Sequence, residues 1–293
     1  MPSFSFDPIA HRYDATRGYP GDIAQQVTRR LDQFIGATPQ TALLELGIGT
    51  GRIAFPLASL GRSYTGVDIS EKMLAVLMEK LRQHSWQEDE RPWGSLPDEL
   101  PTVTPEVRRF IHHDPQGSMR LVISDITHLP FADASFDAVI AVHVLHLVDG
   151  WQQAVQEAVR VLRPGGLLLN CWDEYGKSDV QMISSRWRTI MDASGVNINR
   201  PGTTSHRQVV ELLHTLGLEA QTECLLRWEQ TATPRGAIER IVKREWSSTW
   251  MVPDDIFAAS AEQLWQWANE YYGAGIDTER QVERRFIVSK TQV

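Results

Sequence analysis

The sequence predicts an α/β fold: a doubly wound, mostly parallel sheet of seven strands with an antiparallel last strand, plus a helical cap. Three observations predict it. Short apolar runs alternate with helical patterns between residues 42 and 172, as in parallel strands joined by crossover helices. The first run, Leu43-Leu44-Glu45-Leu46, enters three alternating glycines, Gly47, Gly49 and Gly51. The second run ends on Asp68, about 20 residues later, the spacing of a nucleoside-cofactor site on such a sheet.

Taken in order, Ile23, Val27, Leu31 and Phe34 recur at helical spacing and predict a helix over 23–34. The first strand is 42–46, with a helix from about residue 51 to 60. The second strand is 63–67, and Ser70 is placed to N-cap a helix carrying Met73, Leu74, Leu77 and Leu81 on one face. Residues 120–124 and 136–142 form the third and fourth strands. A helix over 151–162 stops at Pro164-Gly165-Gly166 before a fifth strand, 167–172. Residues 218–228 and 284–289 supply the sixth and seventh strands.

Residues 85–117 break the alternation. Pro92, Pro97, Pro101, Pro105 and Pro115 lie there among many acids and predict an irregular surface insertion without a catalytic role. His112-His113-Asp114 reads as solvated loop, and no metal site is expected. Segments 173–217 and 229–283 leave the carboxyl edge of the sheet and look helical, which predicts a cap over the substrate. Seven tryptophans fall in this half (Trp172, Trp187, Trp228, Trp246, Trp250, Trp265 and Trp267), and for any one of them core packing is the simpler reading. The expected division is 1–36 as an N-terminal lid and helix, 37–172 as a cofactor-binding core, and 173–293 as the remaining strands with the cap.

Bulk properties exclude several classes. At 293 residues, 42% hydrophobic and 23% charged, the composition is that of a globular protein. A net charge of -8 argues against a broad nucleic-acid footprint. Cys171 and Cys224 form no C-x-x-C pair, so zinc is not expected and a reducing, cytoplasmic setting is. Residues 1–21 lack the apolar core of a signal peptide, and no run matches a membrane span.

Glu45 narrows the ligand. A strand buried on both faces is normally apolar throughout, and an unpaired buried carboxylate is costly. A pyrophosphate at the adjacent turn would be opposed by this acid, whereas a ligand with an ammonium or sulfonium would be favoured. The shifted register Gly49-Thr50-Gly51-Arg52-Ile53-Ala54 nevertheless satisfies the G-x-G-x-x-A dinucleotide pattern, so an NAD-dependent oxidoreductase stays open.

Glu45-Leu46-Gly47-Ile48-Gly49-Thr50-Gly51 resembles the first motif of the class I, Rossmann-like S-adenosylmethionine-dependent methyltransferases. Ser124 to Phe131, running into Ser135-Phe136-Asp137, resembles the third motif of that family. Val142-His143-Val144-Leu145-His146 and Leu162-Arg163-Pro164-Gly165-Gly166 match its later motifs in order. Phe6 to Asp14, with Arg17-Gly18-Tyr19-Pro20, resembles the opening of small-molecule members related to the quinone-biosynthesis type, where this segment folds over the cofactor.

The resemblance implies S-adenosyl-L-methionine as cofactor and a small, apolar or aromatic methyl acceptor as partner. It implies cofactor contacts from Glu45, Gly47, Gly49, Gly51, Asp68, Ile69, Met73 and Val142, with Asp125 and Ile126 holding the adenine. Tyr13 and Arg17 would meet the methionine end, Arg17 pairing with its carboxylate. A hydroxyl acceptor would need a base; His143 and His146 are the candidates, with His206 behind them. A non-catalytic binder of the cofactor is the remaining alternative, and a protein or RNA acceptor is disfavoured by the acidic charge.

Overall fold

The computed structural model describes residues 6–100, 102–198 and 200–293; Pro101 of the insertion and the first five residues of the amino-terminal segment lie outside it. Helices α1 (Tyr13–Arg17) and α2 (Ile23–Ile35) precede β1 (Ala42–Leu46), α3 (Ala54–Ala58), β2 (Ser63–Asp68) and α4 (Glu71–Gln83). Next come β3 (Gln87–Asp89), β4 (Glu106–His113), β5 (Gln116–Ile123), β6 (Phe136–Val142), α5 (Trp151–Val161) and β7 (Leu162–Tyr175). The last part holds α6 (Asp179–Ala193), α7 (His206–Thr215), β8 (Ala220–Ala232), α8 (Pro234–Val242), α9 (Asp254–Tyr272) and β9 (Arg280–Gln292).

Among the described residues the strands form one sheet in the order β3-β4-β5-β2-β1-β6-β7-β9-β8. Strands β5, β2, β1, β6 and β7 run parallel. Strand β9 returns antiparallel to β7, with Gly165 N–H donating to the Val293 carbonyl at 2.6 Å and Gly176 N–H to that of Glu283 at 2.8 Å. Two compact units partition the chain: one of residues up to Trp172, Pro201–Leu226 and Phe286–Val293, the other of Asp173–Arg200 and Arg227–Arg285.

In the first unit the central strands are buried on both faces, as parallel strands must be when helices cover them. Leu44, Leu46, Val67, Val122 and Val139 pack with Ala154, Val155, Ala158 and Val161 of α5. Ser70 caps α4 as expected, its hydroxyl accepting the Met73 N–H at 3.1 Å. In the second unit α6, α8 and α9 share a separate core of Ile183, Trp187, Ile238, Ile241, Leu264 and Ala268, on which Trp246, Trp265 and Trp267 pack. These tryptophans serve that core.

The sheet has nine strands where seven are expected, because the 85–117 insertion is partly regular. Strand β4 pairs antiparallel with β5, and β3 with β4. Its sequence, Glu-Val-Arg-Arg-Phe-Ile-His-His, masks the alternation with arginines. Arg109 is nevertheless buried, because Glu99 of the loop pairs with both Arg109 and Arg120. Charge neutralisation within the insertion thus permits a polar strand, and the prolines sit in its flanks. Boundaries also move at β5, β8 and β9, and at two further elements for a direct reason. Strand β7 starts at Leu162, so Pro164-Gly165-Gly166 lies inside the strand, where it pairs with the chain end. The helix expected from 51 is only Ala54–Ala58, because the glycine turn extends through Arg52.

Gly66 of β2 is where the cofactor-side turn rests: a Cβ there would lie 2.0 Å from Ile48 Cδ1. Gly66→Ala is therefore expected to lower the unfolding free energy by about 1–3 kcal/mol, the cost of overpacking. Urea unfolding measures it, and an unshifted midpoint would mean that the turn moves away freely.

Candidate active site

The carboxyl ends of β1, β2, β5 and β6 open into one cleft of about 850 Å³, counting space open to solvent. Its floor is the turn after β1. Gly47, Gly49 and Gly51 all have left-handed backbones, at φ +68°, +56° and +75°, which side chains with a Cβ adopt with strain. Gly47 has a second reason: a Cβ would meet Val144 Cγ2 at 2.5 Å. The turn is tied to β2 by Gly47 N–H and Ile48 N–H, which donate to the Val67 carbonyl at 2.8 and 3.1 Å.

Asp68 closes the second tie. Its carboxylate accepts Gly49 N–H and Ser70 N–H, each at 2.8 Å. Burial pushes its pKa up to about 6, against the lowering effect of these backbone donors. Ser70 reaches further, its hydroxyl donating to Asp7 of the amino-terminal segment. The same segment is held from below: Thr50 Oγ1 donates to Asp14 at 2.6 Å, Lys80 pairs with Asp14, and Lys80 Nζ also donates to the Thr50 carbonyl at 2.7 Å.

Glu45 and Arg52 bring a buried carboxyl group and a guanidinium to the same cleft. Glu45 is 3% exposed and accepts the Tyr64 phenol O–H at 2.8 Å. Burial raises its pKa to about 8; Tyr64 and the positive charge of Arg52 oppose the shift, and Asp68 adds to it. The Arg52 guanidinium lies over the Tyr19 ring at 4.6 Å and donates to the Arg17 carbonyl at 3.1 Å.

The opposite wall is less polar. Asp125 accepts Thr127 N–H at 2.9 Å and so turns the chain after β5, setting Ile126 against the cleft. Val142, Val144, Leu147 and Val148 complete that side. His143 stands between them with φ +51°, its N–H donating to the Cys171 carbonyl at 3.1 Å.

Most residues named from the sequence meet here. Tyr13, Glu45, Gly47, Gly49, Asp68 and Ile69 line the cleft, as do Met73, Asp125, Ile126, Val142 and His143. Three do not. Arg17 stands aside with its carbonyl held by Arg52, and Arg52 is the cation that lines the cleft. Gly51 faces α4, where a Cβ would meet Leu77 at 2.5 Å. His146 sits in the turn beyond β6, its ring 6.4 Å from that of His143. Sequence reasoning missed Arg52, Phe6, Ser70 and Ser124 as lining residues. Arg52 follows the last glycine directly, a position that signals proximity but not the direction of a side chain.

Residues 43–91 and 98–170 match two family models, each described as a methyltransferase domain. The demethylmenaquinone methyltransferase of Tropheryma whipplei (strain Twist) is 29% identical over 167 residues, covering 57% of this chain and 56% of that protein. The mitochondrial 2-methoxy-6-polyprenyl-1,4-benzoquinol methylase of Xenopus laevis is 28% identical over 178 residues, 56% of each. The chain thus spans little more than half the length of these relatives. A Bacillus halodurans structure of the methyltransferase fold aligns with a TM-score of 0.55 at 16% identity, covering 90% of this chain and 97% of that one.

Glu45 sets a pH dependence. Its carboxyl has an ordinary pKa of 4.5 and about 8 in the folded chain, so the fold keeps a proton that the unfolded chain has lost. Its contribution to stability is complete below pH 4.5 and is lost as pH rises through about 8. Glu45→Gln keeps an acceptor for Tyr64 but cannot ionise. It should gain on wild type by a few kcal/mol between about pH 5 and pH 9, read by chemical unfolding across pH. A difference constant with pH would contradict this assignment.

Proposed function

We propose that this class I, Rossmann-like methyltransferase uses S-adenosyl-L-methionine to methylate a small, apolar or aromatic acceptor of the quinol type. One observation carries the reading: Glu45 and Arg52 line a single cleft with Asp68 between the glycine turn and the ends of β1 and β2. An amino acid's ammonium and carboxylate need one partner of each sign, and a ribose needs an acceptor. Asp68 would serve the ribose of either cofactor, but a pyrophosphate has no use for Glu45, and an acid beside the turn opposes it. This disfavours the dinucleotide alternative.

When bound, the donor supplies a methyl group already activated on a sulfonium, so the chain's work is orientation and exclusion of water. Glu45 would take the ammonium and Arg52 the carboxylate. Asp68 keeps its carboxylate on the Gly49 and Ser70 N–H groups and offers its remaining lone pairs to ribose hydroxyls. Asp125 and Ile126 would hold the adenine, with Ile69 and Met73 beside the ribose. Val142, Val144 and Leu147 keep the methyl-transfer side dry. His143, on the same edge, is placed to accept a proton from a hydroxyl acceptor. The quinol class of acceptor is supported by the names of the two relatives, and a small acceptor by the acidic net charge, which disfavours a nucleic acid.

Calorimetric titration tests the reading. S-adenosylmethionine and S-adenosylhomocysteine should bind and NAD should not. Arg52→Ala should weaken binding about 10- to 100-fold, the loss of a charge-assisted hydrogen bond, and Asp68→Ala should abolish it. Binding of NAD alone would sink the proposal. Glu45 adds a second readout. An ammonium seated against it drives off the proton its burial retains, so titrations near pH 7 in buffers of different ionisation heat should show proton release. Glu45→Gln should show none.

A further inference from the structure

His206 belongs to the same unit as the cleft and is not used by the cofactor reading. The segment before it is fastened to the turn that lines the cleft. Gly202 N–H donates to the His146 carbonyl and Thr203 N–H to that of Leu145, each at 3.2 Å. A Cβ at Gly202 would come within 2.1 Å of the Leu145 oxygen, so only glycine lets the segment lie this close. Gln208 then fixes the start of α7, its Oε1 accepting Thr204 N–H at 2.9 Å and the Thr203 hydroxyl at 2.8 Å. The first side chain of α7 is His206.

Two residues of β7 hold its ring. Trp172 stacks on it at 3.5 Å with an interplanar angle of 9°. Asn170, 5% exposed, brings its side-chain amide nitrogen to 3.5 Å from Nδ1. An amide N–H donating to Nδ1 requires that nitrogen to be the acceptor, which leaves the ring proton on Nε2. Among the described residues no protein group hydrogen-bonds Nε2, and the ring neighbours His143 of the cleft without itself lining it. Burial and the neighbouring His143 lower the His206 pKa to about 4, so the ring is uncharged at neutral pH. His143 itself lines the cleft.

We infer that His206 is an acceptor-positioning residue, held by Trp172 and Asn170 as a neutral Nε2–H donor toward an oxygen of the methyl acceptor. This rests on the methyl-transfer reading and gives its acceptor oxygen a named partner in this chain. An uncharged donor does little to strip a proton but stabilises negative charge on an oxygen. The matching acceptors are conjugated oxygen compounds, phenols, quinols or enols, whose oxygen carries the electron density delivered to the methyl carbon. A saturated amine offers no such oxygen.

The test uses the full chain saturated with S-adenosylhomocysteine and 2-hydroxy-1,4-naphthoquinone as probe. Nitrogen NMR of the imidazoles should show His206 in the Nε2–H form, unprotonated across about pH 5 to 8, with the probe shifting its Nε2 signal. His206→Ala should weaken probe binding about 10-fold or more, whereas His206→Gln, which still presents a side-chain N–H, should stay within about threefold. S-adenosylhomocysteine affinity should be equal in wild type and both variants. An Nδ1–H ring, titration near the ordinary histidine value, or a glutamine variant as weak as the alanine one would overturn the inference. An unshifted Nε2 signal on adding probe would also overturn it. Failure of the wild type to bind S-adenosylhomocysteine would instead remove the methyltransferase reading, and the imidazole spectrum would still report on His206.

Discussion

Asp68 is the constraint on which the rest of the site depends. Its two oxygens join the glycine turn after β1 to the start of α4 after β2, through Gly49 and Ser70. The parallel register alone brings Leu46 beside Val67 but leaves the turns beyond the strands undetermined. With both N–H groups on one carboxylate, the turn has a fixed height above the sheet, and the α4 cap is fixed with it. Ser70 passes the constraint to Asp7, so the amino-terminal segment is fastened to the same point. Burying this acid is costly, as its raised pKa records, and the backbone donors offset much of that cost.

Charge is distributed along the cleft for a reason that follows from the sheet. Glu45 sits in β1 opposite Gly66 on one side and Ile140 on the other. The missing side chain at Gly66 makes room for Ile48, and the neighbouring strand supplies the Tyr64 phenol that Glu45 needs. Arg52 enters from beyond the turn, supported on Tyr19. One end of the cleft thereby carries a carboxyl group and a guanidinium while the far wall carries Ile126, Val142, Val144, Leu147 and Val148. That gradient matches a zwitterionic group at one end and a reacting methyl in a dry region at the other.

Much of this was legible in the sequence because its causes are local. Three alternating glycines after an apolar run require a turn, Ser70 before a helical stripe requires a cap, and an acid at the end of the second strand requires donors. The strands 42–46 and 136–142 appear with the expected bounds because they are apolar and flanked by turns. What was not legible depends on distant partners. Strand β4 is hidden because its Arg109 becomes buriable only when Glu99 arrives from a loop. Arg17 and Arg52 are equally plausible partners for a carboxylate until the chain shows that Arg52 bonds the Arg17 carbonyl and takes the place at the cleft. The position of His206 depends on Gly202 meeting a turn some 55 residues earlier, which no local pattern announces.

The same distinction divides donor from acceptor recognition. The proposed donor contacts lie on strand ends and the turns directly after them, where register and glycine geometry determine the position of the backbone. Methyl transfer from a sulfonium needs no obligatory side chain, so selectivity among acceptors must come from groups placed independently of the donor motifs. Trp172 and Asn170 extend from β7, and His206 returns after a long excursion of the chain; none belongs to the glycine turn or its acidic partners. A chain can therefore change these three side chains and leave Asp68, Glu45 and Arg52 undisturbed. On the proposed reading, donor recognition follows from backbone geometry, and acceptor recognition from side chains that substitution can change.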